Sequence, residues 1–189
     1  MRLFVALSIS AEVRESLALL LDELRRADNR PRWVNPANLH VTLKFIGHVP
    51  GEKLPSINDA LSKVTPPAEL ALNFRGLGFF PNDRRPTVVW AGVQELSGLA
   101  DLAGHIDESL AGCGIMRETR PFAPHLTLAS MRETRLAEAL RALIRQSEDR
   151  PFGGQIAREF HLMESQLKPT GAEYTTLRSF PFMREDLNR

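Results

Sequence analysis

The chain has 189 residues, of which 43% are hydrophobic and 25% charged, and its formal net charge is +1. These values are ordinary for a soluble globular protein, and the near-zero charge excludes a broad basic surface for nucleic acid. The single cysteine, Cys113, excludes an internal disulfide and a cysteine-based zinc site, so we expect a cytoplasmic protein. The length suits one domain over residues 1–189, or two small lobes that share a core.

The N-terminal sequence "MRLFVALSIS" places a basic residue before an apolar run, as a signal peptide does. The run is short, and "SAEVRESLALLLDELRRA" follows it directly with helical spacing. No apolar stretch approaches the roughly 20 residues that a membrane-spanning helix needs. We therefore predict a first strand that leads into a helix, with no export signal and no membrane span.

Hydrophobic spacing predicts seven strands and four helices along the chain. The strands are predicted at residues 2–7, 39–46, 68–80, 87–93, 124–130, 156–167 and 173–180. The helices are predicted at 11–27, 54–64, 97–112 and 133–146, and "PFGGQ" is expected to break the last of them. Because most of the strands are connected as hairpins, we predict an α+β fold with antiparallel sheets.

A polar pair interrupts the predicted strand in "NLHVTLKFIG" (38–47), where His40 and Thr42 share one face. One such pair is typical of a half-solvated strand. However, "PHLTLAS" repeats it as His125 and Thr127, 85 residues further on, in a chain that has five histidines. If the two halves pack about a pseudo-two-fold axis, the two strands lie side by side and all four side chains converge on one cleft.

This set of side chains suits an attack on a phosphodiester. Two histidines with pKa values near 6.5 can act as general base and general acid at neutral pH, on opposite sides of the reacting phosphorus. Threonine hydroxyls between them can donate hydrogen bonds to the non-bridging oxygens as negative charge develops. The histidine spacings match no zinc motif, so we expect neither a metal nor another cofactor.

The paired "HVTL" and "HLTL", within "RWVNPANLHVTLKFIG" and "RPFAPHLTLAS" and after the initial "RLFVAL", resemble the two-histidine (2H) phosphoesterase superfamily. The chain is most similar to its RNA 2′,3′-cyclic phosphodiesterases (LigT/ThpR-like), also described as 2′-5′ RNA ligases. The resemblance implies a bilobal fold with two antiparallel sheets around a central cleft and helices packed outside. It further implies an enzyme that opens a terminal 2′,3′-cyclic phosphate of RNA to a 2′-phosphomonoester, with 2′-5′ ligation as the reverse reaction. We expect a monomer, because a cleft between two lobes needs no partner chain.

The resemblance also assigns roles to individual residues. His40 would be the acid on the leaving 3′-oxygen and His125 the base that activates water, although the pseudo-symmetry allows the opposite assignment. Thr42 and Thr127 would hold the phosphate, and Phe45 would stack on the base. Strand alternation alone turns Phe45 away from His40, so this role requires a bulge or a strand end, and core packing is the alternative.

At one position the chain departs from the family. Many relatives carry an arginine five residues after the second histidine, where this chain has Ser130, and Arg132 is a possible substitute. Trp33 is expected either to stack on RNA or to pack in the core. Ser165 and Tyr174 match polar positions of the family pattern and are candidates for a supporting role.

Other functions remain open at this point. A related phosphodiesterase could act on small cyclic nucleotides or on 2′-5′-linked oligonucleotides, and a protein with the same cleft could bind nucleotides without turnover. A structural protein with a coincidental repeat is the weakest alternative. The remaining histidines are assigned to solvated surfaces: His48, His105 and His161. Four clustered arginines are assigned to solvated loops, with the lining of an RNA entrance as the alternative: Arg84, Arg85, Arg117 and Arg120.

Overall fold

The computed structural model of the chain describes residues 1–95, 98–131, 135–169 and 171–182. Its helices are α1 (Ala11–Ala27), α2 (Leu54–Ser62), α3 (Leu99–Ala111) and α4 (Glu138–Gln146). Its strands are β1 (Arg2–Ser8), β2 (Arg32–Trp33), β3 (His40–His48), β4 (Leu70–Phe80), β5 (Val88–Glu95), β6 (His125–Ser130), β7 (Pro151–Ala157), β8 (Glu159–Lys168) and β9 (Gly171–Pro181). None of these helices combines the length and the apolar character that crossing a membrane requires.

The strands pair antiparallel in the order β7-β4-β5-β6-β3-β1-β8-β9, with β2 paired to β6. Strands β3 and β6 lie at the centre and are joined at a single residue pair, Val41 with Leu126. The predicted α+β class with antiparallel strands is confirmed. The two expected sheets are the two halves of this arrangement, which meet at the central pair.

Helices cover the two halves in a crossed pattern. Helix α1 follows β1 but packs against β7 and α4 in the other half, while α3 follows β5 but packs against β3 and α2. The units β1-α1-β3-α2 and β5-α3-β6-α4 are thus related by a pseudo-two-fold axis at the β3/β6 junction. The core lies between the helices and the sheet face that carries Val5, Val41 and Leu126, all of which are fully buried.

Residues 151–155 were predicted only as the break after the last helix, and the strand β7 that they begin was missed. One of its glycines serves sheet packing. A Cβ atom on Gly154 would lie 2.6 Å from Asn73 Oδ1 on the neighbouring strand β4. Pro151 is tolerated because it opens an edge strand. The single strand predicted at 156–167 is in fact two strands: β7 pairs with β4 at one edge, and β8 pairs with β1 and β9 in the other half.

Helix α4 begins at Glu138, later than the sequence predicts, because a distant side chain binds the backbone before it. The Ala137 N–H donates to Asp28 Oδ2 at 2.8 Å. Asp28 is itself buried and accepts from the Arg30 guanidinium at 2.8 and 2.7 Å. Its carbonyl oxygen accepts from Trp33 Nε1 at 3.0 Å. One aspartate therefore holds the segment before β2 and the start of α4 together.

Asp28 is expected to make folding stability depend on acid. Hydrogen bonds from the Arg30 side chain lower the pKa of Asp28 from 3.8 to about 2. Burial opposes this shift, and hydrogen bonds from backbone N–H groups add to it. A lowered folded-state pKa stabilises the protein above the unfolded value and loses that stabilisation as the pH falls toward about 2. The shift corresponds to about 2 kcal/mol. We therefore expect the free energy of unfolding, measured with denaturant, to fall between pH 5 and pH 2 by about 2 kcal/mol more in the wild type than in Asp28→Asn.

The isosteric asparagine variant is the matched control, because it keeps the shape of the side chain and removes its charge. We expect Asp28→Asn to be less stable than wild type at pH 7 and to approach it at low pH. Parallel pH profiles for the two proteins would contradict this assignment.

Candidate active site

The structure brings the four side chains of the repeated motif together, as the sequence predicts. Because Val41 pairs with Leu126 in antiparallel register, His40 lies across from Thr127 and Thr42 lies across from His125. All four side chains are half-buried on the sheet face opposite the core. Each half of the chain thus contributes one imidazole and one hydroxyl to a single cleft.

Both histidines are oriented by the same hydrogen bond. His40 Nδ1 lies 2.7 Å from the carbonyl oxygen of Asn38, and His125 Nδ1 lies 2.7 Å from that of Ala123. A carbonyl oxygen can only accept, so Nδ1 carries the proton and Nε2 holds the lone pair of the neutral ring. The Asn38 side chain donates to Ala172 O at 2.7 Å. This bond ties Asn38 to β9 and thereby holds the carbonyl group that accepts from His40.

Aromatic rings enclose His40. The imidazole lies 4.8 Å from the Phe4 ring and 5.2 Å from the Tyr174 ring, centroid to centroid. Burial lowers the pKa of His40 below 6.5; the hydrogen bond to Asn38 opposes this and the charge of His125 adds to it. Without a ligand His40 therefore favours its neutral form, and a bound anion would favour protonation.

His125 stands against a second aromatic group. Its ring lies 4.9 Å from Phe80, which in turn lies 5.2 Å from Trp90. Gly78 permits this arrangement, because a Cβ atom there would lie 2.2 Å from the Trp90 ring. Both imidazoles are thus held by a backbone carbonyl on one side and aromatic rings on the other.

Removing the Tyr174 ring is expected to raise the pKa of His40. Tyr174→Ala opens the imidazole to water, which reduces the desolvation that disfavours its charged form. The NMR titration of the His40 ring, assigned with a His40→Gln spectrum, should move to higher pH. Tyr174→Phe retains the ring and should leave the midpoint unchanged. An identical midpoint in the alanine variant would mean that other groups set this pKa.

A bulge follows each threonine. The pairing of β3 with β1 moves from Thr42 with Ala6 to Lys44 with Val5, so Leu43 is an extra residue. The pairing of β6 with β5 skips Leu128 in the same way. Both strands share the burial order half-buried, buried, half-buried, buried, buried, exposed from the histidine onward.

The first bulge turns Phe45 to the cleft face, which is the geometry that its expected role requires. Phe45 is 63% exposed, and its ring lies 6.3 Å from Phe4, the neighbour of His40. The alternative of core packing is thus wrong for Phe45. The core-facing position is taken by Lys44, which is only 7% exposed and donates to Asp107 and to Met116 O. This buried ion pair ties the bulge to α3.

Other residues singled out in the sequence have structural positions. Tyr174 lies against His40 as described, and Ser165 is its strand partner on β8. Trp33 packs against the core and donates to Asp28, so the packing alternative accounts for it. Ser130 is exposed at the end of β6, and Arg132 lies outside the described residues.

His161 was expected on the sheet surface, and that expectation is wrong. It is buried on β8, where Nδ1 lies 2.9 Å from Ser179 Oγ. His48 and His105 are exposed, as are Arg117 and Arg120, which pair with Glu108 and Glu118. The described residues contain no group of three side chains suited to hold a metal ion.

Sequence reasoning missed the residues that orient the histidines. Asn38 precedes His40 by two positions, and its polar side chain before the strand was a usable signal. Phe4 and Phe80 gave no such signal, because each belongs to an apolar run that is typical of core. Their contact with the imidazoles depends on the strand order, which the sequence does not specify.

The geometry of the cleft is that of a phosphoesterase, and comparison with known proteins agrees. The sequence profile of the LigT-like phosphoesterases matches residues 7–90 and 93–174. The chain therefore belongs to the LigT-like phosphoesterase family.

Curated relatives match nearly the whole chain. An RNA 2′,3′-cyclic phosphodiesterase of Archaeoglobus fulgidus is 38% identical over 180 residues, which cover 95% of this chain and 99% of the relative. One from Methanothermobacter thermautotrophicus is 33% identical, with coverage of 95% and 97%.

Solved structures show the same fold. The protein TT0787 of Thermus thermophilus superposes with a TM-score of 0.81 at 30% identity, covering 98% of this chain and all of that one. E. coli LigT complexed with 3′-AMP superposes with a TM-score of 0.76 at 28% identity, covering 96% and 97%. The same E. coli protein has also been solved with ATP.

Proposed function

We propose that this protein hydrolyses the terminal 2′,3′-cyclic phosphate of RNA to a 2′-phosphomonoester, without a metal ion. The observation that carries the proposal is the pair of imidazoles on neighbouring strands, each with Nδ1 fixed by a carbonyl so that Nε2 is left for proton transfer. The names of the relatives, RNA 2′,3′-cyclic phosphodiesterases, support the same substrate.

In the proposed mechanism, His125 Nε2 removes a proton from water as the water oxygen attacks phosphorus. The bond from phosphorus to the 3′-oxygen breaks in line, and protonated His40 gives its Nε2 proton to that oxygen. Thr42 and Thr127 donate to the non-bridging oxygens. The products are a 3′-hydroxyl and a 2′-phosphate. Attack by a 5′-hydroxyl in place of water yields a 2′-5′ linkage, which is the ligation that we include in the proposal.

The roles of the two histidines are those that the family resemblance implies, with His40 as the acid. Burial lowers the pKa of His40 and so favours its neutral form before a substrate binds. The negative charge of the cyclic phosphate favours protonation, so we expect the acid to form when the substrate binds. The opposite assignment remains the alternative, and the leaving-group experiment described in the Discussion separates the two.

The decisive test is the turnover of a short RNA that ends in a 2′,3′-cyclic phosphate, in the presence of excess EDTA. We expect EDTA-resistant hydrolysis and a product that is the 2′-phosphate isomer. A 3′-phosphate product would reverse the predicted leaving oxygen, and loss of activity in EDTA would refute the metal-independent mechanism. No turnover would refute the proposed substrate.

Phe45 is proposed to stack on the terminal base, since its ring is exposed on the cleft face beside Phe4. Stacking of a base on an aromatic side chain contributes about 1–3 kcal/mol. Phe45→Ala should therefore raise KM for the RNA about 10- to 100-fold, whereas Phe45→Trp should keep it near the wild-type value. Steady-state kinetics with both variants check this, and an unchanged KM in the alanine variant would remove Phe45 from the site.

A second candidate activity is hydrolysis of small cyclic nucleotides or 2′-5′-linked oligonucleotides, and a third is nucleotide binding without turnover. The solved complexes of E. coli LigT with 3′-AMP and with ATP favour a cleft that accepts nucleotides. Turnover of the mononucleotide but not of RNA would select the second candidate. Binding without turnover of either would select the third.

We further propose that residues 1–189 form one bilobal domain that acts as a cytoplasmic monomer. Both histidines come from the same chain, so the cleft needs no second copy. Light scattering coupled to gel filtration measures the mass of the particle, and 21.2 kDa is the value expected for a monomer.

A further inference from the structure

A pocket of about 450 Å³ opens at the far end of β6 from His125. Three arginines contribute to its lining: Arg30, Arg32 and Arg135. Ser130, the last residue of β6, lies at its edge. No part of the mechanism proposed above uses these residues.

The pocket is continuous with the strand that carries the site. Arg32 on β2 pairs directly with Ser130, and the next pair is Trp33 with Ala129. Ser130 lies three residues beyond Thr127, a separation of about 10 Å along an extended strand. The hydrogen bond from Trp33 Nε1 to Asp28 O holds β2 in place. Arg32, as the strand partner of Ser130, thus lies about 10 Å along the sheet from the threonine that faces the phosphate.

The two halves of the site differ at this point. Phe45 and Ser130 occupy equivalent positions, five residues after a histidine and just past a bulge. The first half presents an aromatic ring there, whereas the second presents a small hydroxyl beside an open pocket. The pseudo-symmetric cleft therefore has one end suited to a base and one end suited to another group.

The charge of the pocket identifies that group. Arg30 is held by the buried carboxylate of Asp28. Arg32 and Arg135 are exposed and form no ion pair with the described residues, and no described carboxylate lines the pocket. Guanidinium groups bind phosphate oxygens through paired N–H donors. The chain as a whole has almost no net charge, so this is a local cationic site.

We propose that the pocket binds a backbone phosphate of the RNA strand, adjacent to the nucleotide that carries the cyclic phosphate. The inference rests on the proposed function and deepens it, because it makes an oligoribonucleotide a better substrate than a mononucleotide. Arg32 and Arg135 contact this phosphate, while Phe45 and the motif residues hold the terminal nucleotide.

The test compares two substrates, a 2′,3′-cyclic mononucleotide and a short RNA with the same terminal nucleotide. Hydrogen bonds to charged groups contribute about 1.5–3 kcal/mol, so Arg32→Gln should lower kcat/KM for the RNA about 10- to 100-fold. Turnover of the mononucleotide should not change. The salt dependence of RNA binding should lose about one unit of slope. Arg135→Gln should act in the same direction.

Arg158→Gln is the matched control. Arg158 is also exposed, but it lies between β7 and β8, away from the pocket, and it forms an ion pair with Glu69. It should behave as wild type with both substrates. If Arg32→Gln lowers kcat/KM equally for both substrates, or for neither, the proposed phosphate site is overturned.

Failure of the proposed function has a different signature, because wild type would then not hydrolyse the RNA, whether or not it hydrolyses the mononucleotide. In that case the affinity of a fluorescein-labelled RNA, measured by anisotropy, still decides the inference. Binding that is about tenfold weaker in Arg32→Gln than in Arg158→Gln supports the pocket, and equal binding overturns it.

Discussion

Replacing either His40 or His125 by alanine is expected to lower kcat for the cyclic phosphate by about 10²- to 10⁴-fold, the range for a general acid or base. Each imidazole has its Nδ1 fixed at 2.7 Å from a carbonyl oxygen, so each can use only Nε2 for proton transfer. The double variant should lose little more than either single variant, because the two groups act in one concerted step.

A change of leaving group separates the roles of the two histidines. A substrate with sulfur in place of the 3′-oxygen releases a thiolate, which needs no protonation. It should restore turnover to His40→Ala and leave His125→Ala inactive if His40 is the acid. Rescue of His125→Ala alone would reverse the assignment, and rescue of neither would mean that the removed rings do more than transfer protons.

Replacing Thr42 or Thr127 by valine is expected to lower kcat by about 10²- to 10³-fold, the cost of removing one donor to a developing oxyanion. Valine has nearly the same shape as threonine and suits a strand, so the fold should persist. Because the hydroxyls would donate to negative charge that develops only in the transition state, the loss should fall on kcat more than on KM.

Serine variants at the same positions provide the control. Thr42→Ser and Thr127→Ser keep the hydroxyl and should retain activity within about tenfold of wild type. Circular dichroism and thermal unfolding would show whether the valine proteins are folded. Folded valine variants with wild-type kcat would exclude the hydroxyls from stabilising the transition state.

The central part of the site was predictable because it rests on a short pattern. His-x-Thr on a strand fixes two side chains on one face, and its repetition requires only that the two strands be neighbours. The pairing of Val41 with Leu126 meets that requirement. Helix α1 was also predicted with correct bounds, because its helical spacing is a local signal. The helix begins where the Ser10 side chain accepts a hydrogen bond from Val13 N.

The remaining features depend on contacts between distant segments. The exposure of Phe45 follows from the bulge at Leu43. The same bulge turns Lys44 toward the core, although lysine in a sequence is normally expected to face solvent. Lysine is buried here only because Asp107 and Met116 O, on a different part of the chain, accept from its ammonium. The late start of α4 depends in the same way on Asp28, 109 positions before Ala137.

Strand β7 illustrates a different limit. Adjacent glycines normally end a regular element, and here Gly154 allows a close approach to β4 at the edge of the sheet. The same two residues are compatible with a break and with a strand. The pairing with β4, a distant segment of the chain, is what makes this segment a strand.

The crossed helices determine how the protein can be divided. Because α1 packs on β7 and α3 packs on β3, a cut between the two copies of the motif would strip each half-sheet of part of its helical cover. A fragment that ends near residue 66 would expose the apolar surfaces of β3 and α1 to water at the same time. The repeat visible in the sequence therefore does not mark two units that can be expressed apart.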